Sequence, residues 1–391
     1  MAMSPKTFIQ HFQAIETPFY FYEMTQLENN LKGLQEAAAR HQFKIHYALK
    51  ANSNDKILNT IARYVEGADC VSGNEIKRAM ECGFSSSHIA FAGVGKSDKE
   101  IAFALENEIF SFNCESKQEL EIINALAQKY GKKARIALRM NPNVNAHTHH
   151  YITTGLDENK FGINPWDLDE MMQIVNQCDH IELCGLHFHI GSQITDLSVF
   201  SNLCNRVNEI KKWFDVKNIN IAHLNLGGGL GVNYREPDKE SLTDFETCFG
   251  IIDRFLQRSP GQEVHLEPGR SVVAQCGSLI SRVLYVKNGM NTNFVILDAG
   301  MTELIRPALY QSYHCIQNIS NGNEASSLKY DVVGPICESS DCFGKAVQLP
   351  ETHRGDFFAI RTAGAYGETM SSSYNLRDKA LAIYSDELPA N

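Results

Sequence analysis

The run His46-Tyr47-Ala48-Leu49-Lys50-Ala51-Asn52 decides how this chain is read: an apolar strand that ends on a lysine, opening a long alternation of strand-like and helical segments. A lysine closing a buried strand is costly to desolvate unless it is paired or chemically used. Lys50 is therefore the first candidate for catalysis, its plain alternative being a surface lysine where a strand emerges.

Outward from that run, apolar stretches recur at 44–50, 68–72, 88–92, 109–113, 135–140, 181–190, 221–226 and 263–267, with amphipathic segments between them. The helices carry end signals. Ser116-Lys117-Gln118-Glu119 reads as a capping box, Gly131 as a stop after Tyr130, and Gly83 closes the helix predicted over 73–82. Eight alternating units predict an α/β chain built on a parallel (β/α)8 barrel. Ahead of it, Thr17–Tyr22 reads as a short aromatic strand, and Leu27, Leu31 and Leu34 mark a helix from Glu23 to His41. After Glu267 the apolar runs at 279–287, 293–299, 330–334, 345–349 and 356–362 are separated by Gly, Asn and Pro instead of helices. They predict an antiparallel β domain that the first strand can also join. The expected division is a barrel over 30–270 and a β domain made of 1–29 plus 271–391.

Bulk composition narrows the function. A chain of 391 residues, 43% hydrophobic and 21% charged, exceeds what one core usually organises. Thirty-six Lys and Arg against 46 Asp and Glu leave a net charge of −10 with no basic stripe, which argues against nucleic-acid or anionic-membrane partners. Met1–His11 lacks a signal-peptide core and no apolar run is long enough to span a bilayer, so the expectation is a soluble, cytoplasmic protein. Eleven cysteines without a C-x-x-C pair suit a reducing compartment better than a disulfide scaffold or structural zinc.

In such barrels the chemistry sits at the carboxyl ends of the strands, and the loops after strands seven and eight commonly hold a phosphate. Strand seven is followed by Gly227-Gly228-Gly229-Leu230-Gly231 and strand eight runs into Glu267-Pro268-Gly269-Arg270. A glycine cluster lets backbone N–H groups approach an anion, and the arginine adds charge. A phosphate cradle and a strand-end lysine on one rim suggest pyridoxal 5'-phosphate held as a Schiff base on Lys50, with Glu267 facing the pyridine nitrogen. His187 and His189 share one face of strand six by alternation, so one of them can lie against the cofactor ring. The rival reading makes them zinc ligands of a barrel hydrolase, and the plain one makes them hydrogen-bonded core histidines. His147, His149 and His150 sit in a polar loop and read as solvated.

The segments YALKAN (47–52), GLHFHIGSQ (185–193), GGGLG (227–231), EPGR (267–270), DAGMTELIRPALY (298–310), CESSD (337–341) and GAYG (364–367) together resemble the diaminopimelate decarboxylase family over about 17–377. The resemblance implies an alanine-racemase-type barrel with a β domain, and decarboxylation of meso-2,6-diaminopimelate to L-lysine and CO2, the last step of lysine biosynthesis. It implies Lys50 as the Schiff-base lysine and His189 stacked on the ring. Ser192, Gly228, Gly229, Gly269 and Arg270 match the phosphate and cofactor shell, with Glu267 as pyridinium partner and Tyr366 near cofactor and substrate. Arg270, Arg306, Tyr310, Glu338 and Tyr366 match the substrate-binding set. Cys337 matches the proton donor, contributed from the neighbouring subunit of a homodimer whose active sites lie at the interface. Diaminopimelate carries an amino acid head at each end, so its distal end needs cations for the carboxylate and an acid for the ammonium.

Alternatives remain at this level: a polyamine-pathway or other basic amino acid decarboxylase, a non-catalytic pyridoxal-phosphate-binding regulator, and a racemase, the last disfavoured by the strong electron sink at Glu267. The carboxyl end, YNLRDKALAIYSDEL, is shorter than the family tail, and Asn74 stands where a glycine is usual.

Overall fold

The computed structural model describes residues 5–144, 160–321 and 328–389. His147, His149 and His150 lie outside the described residues. The chain divides into two units: Leu31–Gly231 with Asp244–Gly269, and Met1–Asn30 with Val232–Thr243 and Arg270–Asn391. The excursion Val232–Thr243, kept with the barrel in the sequence reading, is grouped with the second unit.

Strand β1 (Phe19–Tyr22) precedes the barrel. The barrel strands are β2 (Phe43–Ala48), β3 (Gly67–Cys70), β4 (Ile89–Phe91), β5 (Ser111–Cys114), β6 (Ala134–Arg139), β7 (Ile181–His187), β8 (His223–Asn225) and β9 (Glu263–Leu266). They pair in parallel in chain order and close where β9 meets β2. All eight expected strands are present, several of them trimmed. β2 stops at Ala48, and Lys50 sits in a 3₁₀ turn, Leu49–Ala51, where the Tyr47 hydroxyl donates to Asn52 O (3.0 Å) and draws the chain back. β7 stops at His187, so His189 stands on the loop beyond the strand and not on its face.

Helix ends follow local chemistry with one revision. Gly83 (φ +93°) and Gly131 (φ +61°) adopt the left-handed conformation expected of helix stops. Ser116 caps Lys117–Lys129 by accepting from the Glu119 N–H (3.3 Å). The Glu119 carboxylate, however, accepts from the Glu115 N–H and pairs with Lys96, so the box is only half made. The reciprocal capping box is at Ser97 and Glu100.

Inside the barrel, alternation stacks the inward side chains in layers. His187, Asn225 and Glu267 form the upper layer. Two residues earlier on the same strands stand Gly185, His223 and His265, with His46 beside them: His46 Nε2 lies 2.8 Å from His265 Nδ1, and the His223 and His265 ring centroids are 4.9 Å apart. Phe110 stacks on His265 at 5.2 Å and 14°. Gly185 makes this possible, since a Cβ there would stand 2.2 Å from His223 Nε2.

The second unit holds β1 with β10 (Gly277–Asn288), β11 (Asn293–Leu297), β12 (Ile316–Asn318), β13 (Leu328–Val333), β14 (Cys342–Leu349), β15 (Phe357–Ile360) and β16 (Leu381–Tyr384). The order is β12-β15-β10-β11-β13-β14, with β1 antiparallel to β10 and parallel to β16. The expected antiparallel sheet is thus mixed, because β11 also pairs in parallel with β13 after a long connection. Its core includes an aromatic cluster in which Phe12 meets Phe19 edge-on at 5.2 Å and Phe21 at 5.0 Å. Among the described residues no helix is long and apolar enough to cross a membrane, and all eleven cysteines are free thiols.

Candidate active site

Lys50 projects from the turn after β2, and its Nζ donates to Asp69 Oδ2 on β3 at 2.7 Å. The lysine side chain is 36% exposed, so its amine can be reached, whereas Asp69 is fully buried. Burial and the nearby Glu267 charge raise the Asp69 carboxyl, while Lys50 pulls it back down. Its other oxygen, Oδ1, is buried without a hydrogen-bond partner.

Glu267, directly after β9, is a second buried carboxylate of the barrel. It accepts from Asn225 Nδ2 (2.7 Å) and from His187 Nε2 (3.1 Å). Burial opposes its ionisation, but His187, Lys50 and His189 outweigh that and hold the carboxyl well below its usual range. His189 is kept neutral, pushed well down by burial with Arg139 and Lys50 adding to it. Its Nδ1 accepts from the Gly228 N–H (3.4 Å), which leaves the ring proton on Nε2. Arg139, at the end of β6, pairs with buried Glu115 (2.7 Å).

The glycine loop also closes against its neighbours through main-chain groups. Ile194 N donates to Gly229 O and Gly231 N to Ile194 O, each at 2.9 Å, clasping it to the loop that carries Ser192. A Cβ at Gly228 would lie 2.2 Å from Glu267 O, and one at Gly229, where φ is +108°, 2.7 Å from Gly191 O. At Gly269 it would meet Ala51 Cβ at 3.0 Å and Ala48 Cβ at 3.1 Å, so the loop after β9 packs against the lysine turn. Lys50, His189, Gly228, Gly229, Glu267, Gly269 and the Ser192 loop therefore belong to one rim. A reachable amine, a carboxylate ionised at depth and a main-chain cradle fit pyridoxal 5'-phosphate. Among the described residues no group of three or more His, Cys, Asp or Glu is arranged to hold a metal ion.

In the second unit, Arg270 and Arg306 converge on Tyr234. Its hydroxyl oxygen accepts from Arg270 Nη1 at 2.7 Å and Arg306 Nη1 at 3.0 Å. Arg270 also lies 4.8 Å from the Tyr366 ring centroid, and Tyr366 holds a left-handed φ of +56°. Arg306 opens the helix Arg306–Tyr310 and is buried. Its other contacts are Ala365 O (3.4 Å) and Ser312 Oγ (3.3 Å), all neutral, and its Nε is unpaired. Cys337 and Glu338 stand on an exposed turn where the Cys337 N–H donates to Asn375 Oδ1 (2.9 Å). Among the described residues neither contacts the arginine pair within this chain.

Sequence reasoning passed over Asp69, Asn225, Arg139 and Tyr234, and left His187 without its partner. Strand alternation was the available signal: Asn225 and Glu267 are each two residues beyond an inward histidine.

A barrel with a rim lysine, a buried ionised carboxylate and a glycine cradle defines a pyridoxal-phosphate enzyme. The model of the pyridoxal-dependent decarboxylases, pyridoxal binding domain, matches residues 24–274, so the chain belongs to that class and pyridoxal 5'-phosphate is its cofactor. The diaminopimelate decarboxylase of Bacteroides thetaiotaomicron is 51% identical over 381 residues, 97% of this chain and 98% of that protein. The crystal structure of the Helicobacter pylori diaminopimelate decarboxylase complexed with L-lysine superposes with a TM-score of 0.89 at 42% identity, covering 96% of this chain and 93% of that one. The chain belongs to the diaminopimelate decarboxylase family. The lysine/ornithine decarboxylase of Vibrio vulnificus complexed with putrescine, 19% identical with a TM-score of 0.84 over 99% of this chain and 100% of that one, shares the fold.

Proposed function

We propose that this chain removes CO2 from one head of meso-2,6-diaminopimelate to release L-lysine, closing lysine biosynthesis in the cytoplasm, as a homodimer with active sites at the subunit interface. The observation that carries the substrate assignment is Arg306, a buried guanidinium whose every contact among the described residues is neutral. A buried cation without a counter-charge is costly, and a substrate carboxylate supplies one in bidentate geometry. Arg270 and Arg306 take the distal carboxylate, Glu338 the distal ammonium, and Tyr310 and Tyr366 flank the chain. A substrate lacking that carboxylate leaves the Arg306 guanidinium without a counter-charge, which sets diaminopimelate apart from ornithine.

Pyridoxal phosphate supplies the electron sink into which the bond to the departing carboxylate empties. Lys50 anchors it through its amine, with Asp69 available to exchange a proton at Nζ. Glu267, kept ionised by His187 and Asn225, would hold a proton on the pyridine nitrogen. His189 would cover the ring, and Ser192, Gly228, Gly229, Gly269 and Arg270 would hold the phosphate. After CO2 leaves, a proton takes its place on the same carbon, delivered by Cys337 of the partner subunit.

The test is CO2 release and lysine formation from meso-diaminopimelate by the cofactor-loaded protein, with ornithine and arginine alongside. Lysine from diaminopimelate alone supports the assignment. Turnover of ornithine or arginine in its place overturns the roles of Arg306 and Glu338, and turnover of none favours a regulatory pyridoxal-phosphate binder.

A further inference from the structure

The Tyr234 oxygen is the point on which two buried cations meet. Guanidiniums carry only donors, so Arg270 and Arg306 cannot bond to each other and repel in a poorly screened interior. One phenol oxygen accepts from both, at 2.7 and 3.0 Å, and its ring lies 6.0 Å from the Arg270 and 5.2 Å from the Arg306 guanidinium carbon. His314 packs edge-on against that ring at 5.1 Å and 81° and is neutral, pushed down to about 3 by burial, with Arg306 adding to it. No carboxylate among the described residues pairs with Arg306. The Tyr234 oxygen thus joins the two guanidiniums at one point.

We propose that Tyr234 is a positioning residue that sets the preference for substrates with a distal carboxylate, by aligning Arg270 and Arg306 on one oxygen so that both guanidiniums meet the same carboxylate. The inference rests on the assignment of those arginines to the distal carboxylate. Electrostatics agrees with the geometry: burial raises the Tyr234 hydroxyl, but the two arginines outweigh it and bring it below its usual range. Phenylalanine in its place keeps the ring and its cation–π contacts and removes only the shared acceptor.

The experiment compares inhibition of the holoenzyme by L-lysine, which retains the distal head, and by 1,5-diaminopentane, which lacks the carboxylate. Tyr234→Phe is expected to weaken L-lysine about tenfold and leave 1,5-diaminopentane within about twofold, since one charge-assisted alignment is lost. The KM for diaminopimelate rises with the L-lysine constant, and kcat changes less than KM. Tyr234→Gln, which keeps an oxygen acceptor, recovers most of the L-lysine affinity, and Tyr234→Leu serves as the loss variant if the phenylalanine protein does not fold. Equal weakening of both inhibitors, or of neither, overturns the inference. Arg306→Gln separates the two failures. If it weakens L-lysine while Tyr234→Phe does not, only the role of Tyr234 falls. If it leaves L-lysine binding intact, the assignment of the arginines falls and this inference with it.

Discussion

His187 Nε2 lies 3.1 Å from Glu267 Oε2, with both side chains sealed from solvent, so the carboxylate after β9 is kept ionised by a histidine two strands away. Glu267→Gln removes the charge and keeps the shape. The expected result is a kcat about 100-fold lower, about 2.7 kcal/mol of barrier, with bound pyridoxal phosphate unchanged by absorbance. An unchanged kcat removes Glu267 from the mechanism.

Lys50→Ala should abolish turnover and the covalent link to the cofactor. Borohydride treatment followed by mass spectrometry is expected to label Lys50 in the wild type and nothing at that position in the variant. A labelled lysine elsewhere displaces Lys50 from its role.

The inner histidine layer predicts a steric dependence. Gly185→Ala puts a methyl 2.2 Å from His223 Nε2. Denaturant unfolding should show a loss of about 1–3 kcal/mol, the usual penalty of overpacking. Adding His223→Ala should recover much of it, because the clash disappears. Additive losses in the double variant refute the steric account.

The same layer predicts acid sensitivity. Burial pushes His223 down to about 3 and His265 to about 2, with neighbouring His46 adding to both. Folded values below the unfolded value of about 6.5 mean that the unfolded chain binds more protons as pH falls. Stability therefore drops from about pH 6.5 toward pH 3, at up to about 1.4 kcal/mol per pH unit for each histidine. His223→Gln should flatten that slope in urea titrations at stepped pH, and an unaltered slope places the sensitivity elsewhere.

How much of this was legible depended on where the partners lay. The barrel strands announced themselves because each is a short apolar run between amphipathic segments. Strand β12 (Ile316–Asn318) has only three residues and mixed polarity, and β16 (Leu381–Tyr384) is only four residues long and half-buried, so neither gave a periodic signal. The parallel pairing of β16 with β1 joins residues more than 350 positions apart, a relationship no local pattern carries. In the site, Lys50, Glu267 and the glycines sit in motifs. Asp69 is a single polar residue inside an apolar strand, Asn225 shares its three-residue strand with His223, and Tyr234 is defined by two arginines that arrive from distant segments.

The clasp between Ile194 and the glycine loop has a consequence for how this rim tolerates change. Because the loops recognise each other through main-chain groups in fixed phase, length is constrained more tightly than composition. Inserting one residue into 190–194 or 227–231 would slide every donor past its acceptor, whereas many side chains at Leu230 would leave the phase intact. Variation at this rim should accumulate as exchanges of residues, with gaps and insertions displaced to the far side of the barrel.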